Sequence, residues 1–462
     1  MMKKLFKILG KALLVLLAIP VVCYVFLLLY NLRDDALDPQ VEKIMAAAPP
    51  QIPAAENGYY AWVGINGPAD QDPHAWGQRW VREALEADKR AAADLSASIT
   101  LPIDAEKRKD SLSNKGIACG EKIETCLDAV AAQPDAARAV LEKGQVALAR
   151  GDAALAYPAY QEVWRPEFSY TSPIPSYANF YRQLSATRFA LAVAEGRHDQ
   201  ALEQLGREMP FHARQMAGAV TLIEKMVAVA SLRNDYLLLN QYLARHPAEA
   251  KPRVERLAAL LAPLPADALR FQAVWLNEQR SGLRTILSLK DMDGSALFNV
   301  AGSDGGVGPW FFANFGKPLL LLNATANEFS RHHDGLLAAD ALSGAAYRDA
   351  LARTKRDLEA ATEDTYMLRN PIGHILNAIA IPSYDSYYLK RDDLIVLRAA
   401  IAFQLEQARS GADGDATAQA LAAAPALIHP YDGVAPAWDK AKRTLTYTAL
   451  PARNGKPIEL RF

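Results

Sequence analysis

The sequence predicts a mainly α-helical protein, tethered by one N-terminal transmembrane helix and closed by a small C-terminal β-ribbon. Three observations carry that reading. Residues 12–30 form an uncharged apolar run, the middle of the chain is Ala-rich with apolar residues at helical spacing, and residues 429–462 alternate like short strands around turn residues.

The run Ala12–Tyr30 sets the address of everything after it. A helix rises about 1.5 Å per residue, so the run spans close to the roughly 30 Å hydrocarbon core of a bilayer. Lys3, Lys4, Lys7 and Lys11 precede it in a tail of residues 1–11, and Arg33, Asp34, Asp35 and Asp38 follow it. That asymmetry predicts a single-pass protein of the inner membrane, with a cytoplasmic N-terminus and a periplasmic bulk. Val22 stands before Cys23, where lipoprotein processing requires a small residue. The run also exceeds the roughly 7–15 apolar residues of a cleavable signal peptide, so the anchor is expected to stay. The lipid bilayer is then the first expected partner.

The chain has 462 residues with formal net charge −1. Without the four lysines of the tail, 47 basic groups face 52 acidic ones, a net of −5. A mildly acidic, mixed surface leaves no electrostatic footprint for nucleic acid.

Residues 31–55 carry acids, then Ala46–Ala48, Pro49, Pro50 and Pro53, and read as a linker that holds the body off the membrane. The first part of the helical body, residues 56–290, opens with Glu56–Ile65, whose aromatic content predicts an extended segment. Asp72 and Pro73 then suit the start of a helix, with Trp76, Trp80, Ala84 and Ala87 as its buried stripe. Gly151 with Ala156, and Gly196 with Ala201, repeat one spacing. It resembles the turn of a tetratricopeptide-type hairpin, where Gly ends one helix and a small residue lets the next pack closely. The two glycines lie 45 residues apart rather than 34, so helical hairpins are expected and not a regular array. Further helices are expected at 216–232, 235–245 and 252–261. Residues 291–318 read as a long irregular Gly-rich loop, and residues 319–428 as the second part of the helical body, with helices at 319–366 and 392–409. The C-terminal β-ribbon, 429–462, completes the chain.

Cys119 and Cys126 lie in the exported part, where an oxidising compartment favours a disulfide over two buried thiols. Seven residues of continuous helix would separate their Cα atoms by about 10.5 Å, beyond the roughly 4.4–6.8 Å of a bridge, so a bridge requires Cys119 to leave the helix.

Candidate chemistry is sparse. Ala301-Gly-Ser303-Asp-Gly305 is one residue short of a nucleophile elbow, but no strand precedes it and Gly306-Val-Gly-Pro309 cannot continue as a helix. Ser303 is therefore a candidate nucleophile with the wrong surroundings. Gly302, Gly305 and Gly306 can present backbone N–H groups to an anion, although no Gly-Lys-Ser/Thr follows. His332 and His333 stand beside Asp334. Adjacent helical residues diverge by about 100°, so the two histidines are not expected to chelate one metal. Asp291-Met-Asp293-Gly294 lacks the remaining ligands of a calcium loop. His374 and tyrosines 384, 387 and 388 line a pocket or pack in a core. No cofactor and no metal are expected.

The order Asn57-Gly-Tyr-Tyr, Cys119…Cys126-Leu, Thr221-Leu-Ile-Glu-Lys-Met226, Asn370-Pro-Ile-Gly373 and His429-Pro-Tyr-Asp-Gly433 resembles an uncharacterised family of single-pass, membrane-anchored envelope proteins of Gram-negative bacteria. The resemblance covers nearly the whole chain and implies an address and a mostly helical body. It implies no activity and no catalytic residues. The Pro-Tyr-Asp-Gly tail also resembles the C-terminal β segment of pseudopilins, from which the helical body departs.

The expected function is that of a membrane-tethered periplasmic interaction or scaffold protein, without catalysis, that binds another envelope protein. The alternatives are an anchored envelope hydrolase or transferase, and an accessory part of a secretion or pilus-like system.

Overall fold

A computed structural model describes residues 2–47, 51–93, 101–107, 119, 123–163, 174–290, 315–363, 368–380, 385–411, 414–448 and 456–462. The chain is mainly helical with one small antiparallel sheet at its C-terminal end. The first helix, α1 (Met2–Tyr30), contains the whole of the expected span 12–30. Among the described residues no helix is long and apolar enough to cross a membrane. In α1 the described side chains are those of residues 16–30, and Leu16, Leu17, Ile19, Val22 and Leu29 are all exposed.

Residues 31–47 depart from the expected spacer and dock onto the body. Asp38 caps α2 (Pro39–Ala46), accepting from the Gln40 N–H at 2.8 Å. Val41 and Ile44 of α2 are buried in one apolar cluster with Phe271 and with Val274 and Trp275 of α14 (Gln272–Ser288). Burial of these two side chains outweighs the loop-like composition around them, since each is worth roughly 1.5–3 kcal/mol.

The expected extended segment at 56–65 is also corrected. It is a short helix, α3 (Gly58–Val63), between two 3-10 turns. Asn57 decides this locally, because its carboxamide accepts from the Tyr59 N–H at 3.1 Å and from the Gln161 N–H at 2.9 Å. It also donates to Gln161 O at 2.7 Å. The aromatic residues that suggested a strand fill a core instead, with Trp62 centred 5.4 Å from Tyr181 and 5.1 Å from Phe211. Packed across α3 is α4 (Pro73–Ala93), where Asp72 accepts from the Ala75 N–H at 2.8 Å and Trp76, Trp80, Ala84 and Ala87 are buried as their spacing predicts.

Helices α5 (Cys126–Ala132), α6 (Pro134–Lys143), α7 (Gln145–Leu155), α8 (Ile174–Ala194), α9 (His198–Gly218) and α10 (Leu222–Arg245) make the central body. Gly196 closes α8 at φ 71°, with the Arg197 N–H on Ala192 O and the Gly196 N–H on Val193 O, so the α8–α9 hairpin turns where its glycine predicts. Gly151 behaves differently. It lies inside α7, where a Cβ would come within 2.1 Å of the Tyr181 ring, so it permits close helix approach and ends nothing. Of the helices expected at 216–232 and 235–245, residues 216–218 end α9 and the rest from Leu222 to Arg245 is one helix, α10, whose Thr221 cap accepts from the Glu224 N–H at 3.3 Å. Cys119 and Cys126 form a disulfide, with Cα atoms 4.6 Å apart and Cys119 outside α5.

After α11 (Pro247–Ala250), α12 (Val254–Leu260), α13 (Ala266–Leu269) and α14 come α15 (Leu322–Asp340), α16 (Gly344–Glu363), α17 (Pro371–Ala380), α18 (Asp385–Ser410) and α19 (Gly414–Ala422). The helices expected over 319–366 are α15 and α16, which part between Asp340 and Gly344, whose φ is 57°. Strands β1 (Ala437–Asp439), β2 (Thr444–Tyr447) and β3 (Ile458–Arg461) pair antiparallel in chain order. Leu445 opposes Leu460 and Tyr447 opposes Ile458, and these four side chains are the buried face. Asn240 of α10 and Gln404 of α18 both donate to Arg461 O, fixing the ribbon on the helices.

Candidate functional site

Gly302, Ser303, Gly305 and Gly306, with Asp291, Asp293 and Tyr384, lie outside the described residues. The two histidines are described, and they diverge. His333 is buried on α15 with its ring 4.4 Å from Phe329 and Nδ1 3.1 Å from Phe329 O, and burial pushes its pKa down to about 4. His332 is half-buried and faces Glu328, 3.9 Å away. His374 of α17 reaches the same carboxylate at 2.8 Å. Burial acts to raise the Glu328 pKa, but the two histidines outweigh it and hold the group below its ordinary value. Among the described residues no group of three His, Cys, Asp or Glu side chains is placed to hold a metal ion. Tyr388 is buried and accepts from Trp275 Nε1 at 2.7 Å while its hydroxyl donates to Leu336 O at 3.2 Å. It packs a core.

A buried polar cluster joins α7, α8 and α9. Arg188 donates to Asp152 at 2.6 Å and to Glu208 at 3.1 Å, Ser185 donates to Glu208 at 2.5 Å, and Gln204 donates to Ser185 Oγ at 2.7 Å. Burial raises the Glu208 pKa. These groups satisfy one another, which is how a polar helix interface is held.

A cleft of about 680 Å³ is a different case, because its polar groups reach an open surface. It forms where the C-terminal ends of α13 and α15, the start of α16, the first half of α18 and the segment 425–430 meet. Arg391 of α18 is its floor. The guanidinium lies 5.0 Å from the ring centroids of both Tyr347 and Tyr388, with Nε 2.8 Å from Asp392 and Nη1 3.3 Å from Asp340. Burial acts to lower the Arg391 pKa, but Asp392, Tyr347 and Asp340 outweigh it, so the group is held charged. Burial raises the pKa of Asp392 and of Asp340, with Arg391 opposing both.

Beneath this floor Lys225 of α10 is buried, with Nζ 2.5 Å from Met216 O, 2.6 Å from Ala268 O and 2.8 Å from Arg270 O. Burial pulls its pKa down to about 7. Three carbonyl acceptors nevertheless match the three N–H bonds of an ammonium, and a neutral amine has only two to give. The seat is therefore built for the charged form. Lys225 fixes the backbone at 268–270 and so sets the position of Arg270 on the rim.

His429 braces the opposite wall. The Tyr431 N–H donates to its Nδ1 at 3.2 Å, which leaves Nε2 to carry the proton toward Asp393 Oδ1, 2.9 Å away. The loop returns through Gly433 at φ 75°, where a Cβ would lie 3.3 Å from the Arg348 guanidinium. The His429-Pro-Tyr-Asp-Gly433 motif is thus a turn that seats one histidine and makes room for one arginine.

The rim pairs two features. Arg270 is exposed and Arg348 half-buried, so with Arg391 the lining cations outnumber the lining carboxylates Asp340 and Asp392. The same lining holds Leu342 and Ile428, each 44 % exposed, together with Leu269 and Ile395. Such a surface can hold an anionic group beside apolar side chains. Sequence reasoning missed it, although Lys390-Arg-Asp-Asp393 set between Tyr387-Tyr-Leu389 and Leu394-Ile-Val-Leu397 is a legible signal of charge held inside an apolar helix.

The chain matches no protein-family model, no curated protein and no solved structure.

Proposed function

We propose that this is a membrane-tethered binding protein of the bacterial envelope, whose cleft takes an acidic, apolar segment of another envelope protein. The observation that carries the binding reading is the lining itself, which combines Arg270 and Arg348 with the exposed Leu342 and Ile428. Arg391 pairs with Asp392 and Asp340 and Lys225 with three carbonyl oxygens, so they shape the cleft, and Arg270 and Arg348, whose Nη1 donates to Pro430 O at 3.4 Å, are the rim cations offered to a ligand carboxylate.

The address is part of the proposal. The uncharged sequence 12–30, the lysines before it and the acids after it support an inner-membrane anchor with a periplasmic body. The disulfide between Cys119 and Cys126 supports an oxidising compartment. A phosphatase reporter fused after Phe462 should be active and a cytoplasm-only reporter dark; the reverse pattern removes the periplasmic address. For the binding reading, fluorescent peptides of alternating Glu and Leu are titrated against purified full-length protein, with Lys and Leu peptides as controls. Saturable binding of the acidic series alone, weakened by Arg348→Glu, is the expected result. Equal binding of both series, or none of either, removes the cleft as a site for acidic segments.

A further inference from the structure

Helix α17 carries its polarity inside out. Its described polar side chains, His374 and Asn377, both turn toward the protein, His374 to Glu328 at 2.8 Å and Asn377 to Thr325 O at 3.2 Å. Ile375 is 55 % exposed, and Leu368 just before the helix is 50 % exposed. Ile372 and Leu376 are half-buried and Ala378 is exposed, so nothing polar among the described side chains of the helix faces outward. A helix on a water-facing surface has the opposite arrangement.

Its place gives that face an occupant. Asn370, at φ 54° immediately before α17, donates its N–H to Asn31 Oδ1 at 2.6 Å, and Asn31 Nδ2 donates to Leu368 O at 2.8 Å. Asn31 is the residue that follows α1, so α17 starts where α1 ends. The body also reaches back along α1: the Tyr24 hydroxyl donates to Phe315 O at 3.2 Å, and the two rings meet edge to face at 5.5 Å. Tyr24 precedes Asn31 by seven residues, which is roughly 10 Å of helix. An interfacial helix sinks about 5–10 Å into the boundary between headgroups and acyl chains, so the overlap has the depth of that layer.

We propose that α17, with Leu368, lies in the interfacial layer of the membrane that α1 crosses, so that the body rests on lipid at a second point. This rests on reading α1 as the anchor. The occupant is lipid, at the level of the upper acyl chains. The inward turn of His374 and Asn377 then has a cause, since their polar groups are satisfied by Glu328 and Thr325 and stay out of the acyl region.

The test uses the full chain with Cys23→Ser, reconstituted into vesicles of phosphatidylethanolamine and phosphatidylglycerol. An environment-sensitive fluorophore is attached in turn to Ile375→Cys, to Leu17→Cys on α1 and to Lys442→Cys beside the ribbon. Quenching is compared between lipids carrying a nitroxide just below the glycerol and lipids carrying one near the acyl end. The expected result is loss of the Ile375→Cys signal to the shallow nitroxide, loss of the Leu17→Cys signal to the deep one, and no loss at Lys442→Cys. A quenched probe at Leu17→Cys with an unquenched one at Ile375→Cys overturns the inference and leaves the anchor standing, whether Ile375 then faces water or another protein. Failure of quenching at both positions overturns the anchor and the inference together.

Discussion

The carboxylate of Asp34 caps a helix that begins almost three hundred residues later, accepting from the N–H of Asn323 at 2.9 Å and of Ala324 at 3.1 Å. Two of the orphan donors in the first turn of α15 are thereby satisfied from just beyond α1. Asn323 returns the contact by donating to Asp35 O at 2.8 Å, and Arg369 pairs with Asp35. Asp34→Ala should cost about 1 kcal/mol of stability and speed amide exchange in the first turn of α15. Unchanged exchange there would show that the cap does not tie the body to α1.

The crossing of α3 and α4 depends on one missing side chain. A Cβ at position 77 would sit 1.9 Å from Tyr60 O, a backbone atom that cannot rotate away. Gly77→Ala should destabilise the fold by about 3 kcal/mol through forced separation of the two helices. A thermal midpoint equal to that of the parent protein would contradict the geometry.

Two buried groups make stability depend on pH with opposite signs. Glu224 accepts from Tyr160 and, at 3.4 Å, from Gln215, and burial beside Glu162 pushes its pKa up to about 8. The folded state then keeps a proton that the unfolded state has lost, so this group removes stability as pH rises from about 4.5 to about 8. His212 runs the other way, because burial pushes its pKa down to about 4. Its contribution is complete above the unfolded value near 6.5 and is lost as pH falls toward 4. Glu224→Gln should flatten the alkaline limb of a plot of urea midpoint against pH and leave the acid limb unchanged. Equal slopes on the alkaline limb would show that Glu224 is ionised in the folded state.

The disulfide closes a short loop against the apolar cluster of α5, α8 and α10. Replacing Cys119 and Cys126 together by alanine should cost about 2 kcal/mol on chain-entropy grounds, because the loop is short. Denaturant midpoints of the paired variant and the parent measure it.

What the sequence made legible was local. The β-ribbon follows from the alternation of Leu445, Tyr447, Ile458 and Leu460, and the α4 stripe from Trp76, Trp80, Ala84 and Ala87. What it hid was long-range. Gln161 holds the Asn57 side chain that caps α3, and Asp34 docks residues 31–47 through Asn323, and neither Gln161 nor Asn323 lies in the local window. His332 and His333 point to different surroundings, and the Glu328 carboxylate that His332 faces is shared with His374 from another helix, which no local spacing contains. The cleft draws residues from 266 to 430, so the charges of Lys390-Arg-Asp-Asp393 mark its floor in the sequence but not the walls that meet there.

The cleft is the proposed meeting place of this protein and its partner. A photo-activatable amino acid at Ile428, and separately at Leu342, is irradiated in intact cells, with Lys442 as the control position. The expected result is one discrete protein adduct from both cleft positions, none from the control, and its loss on Arg270→Glu combined with Arg348→Glu at unchanged thermal stability. The same adduct from all three positions, or adducts at the cleft that survive the charge reversal, would contradict it.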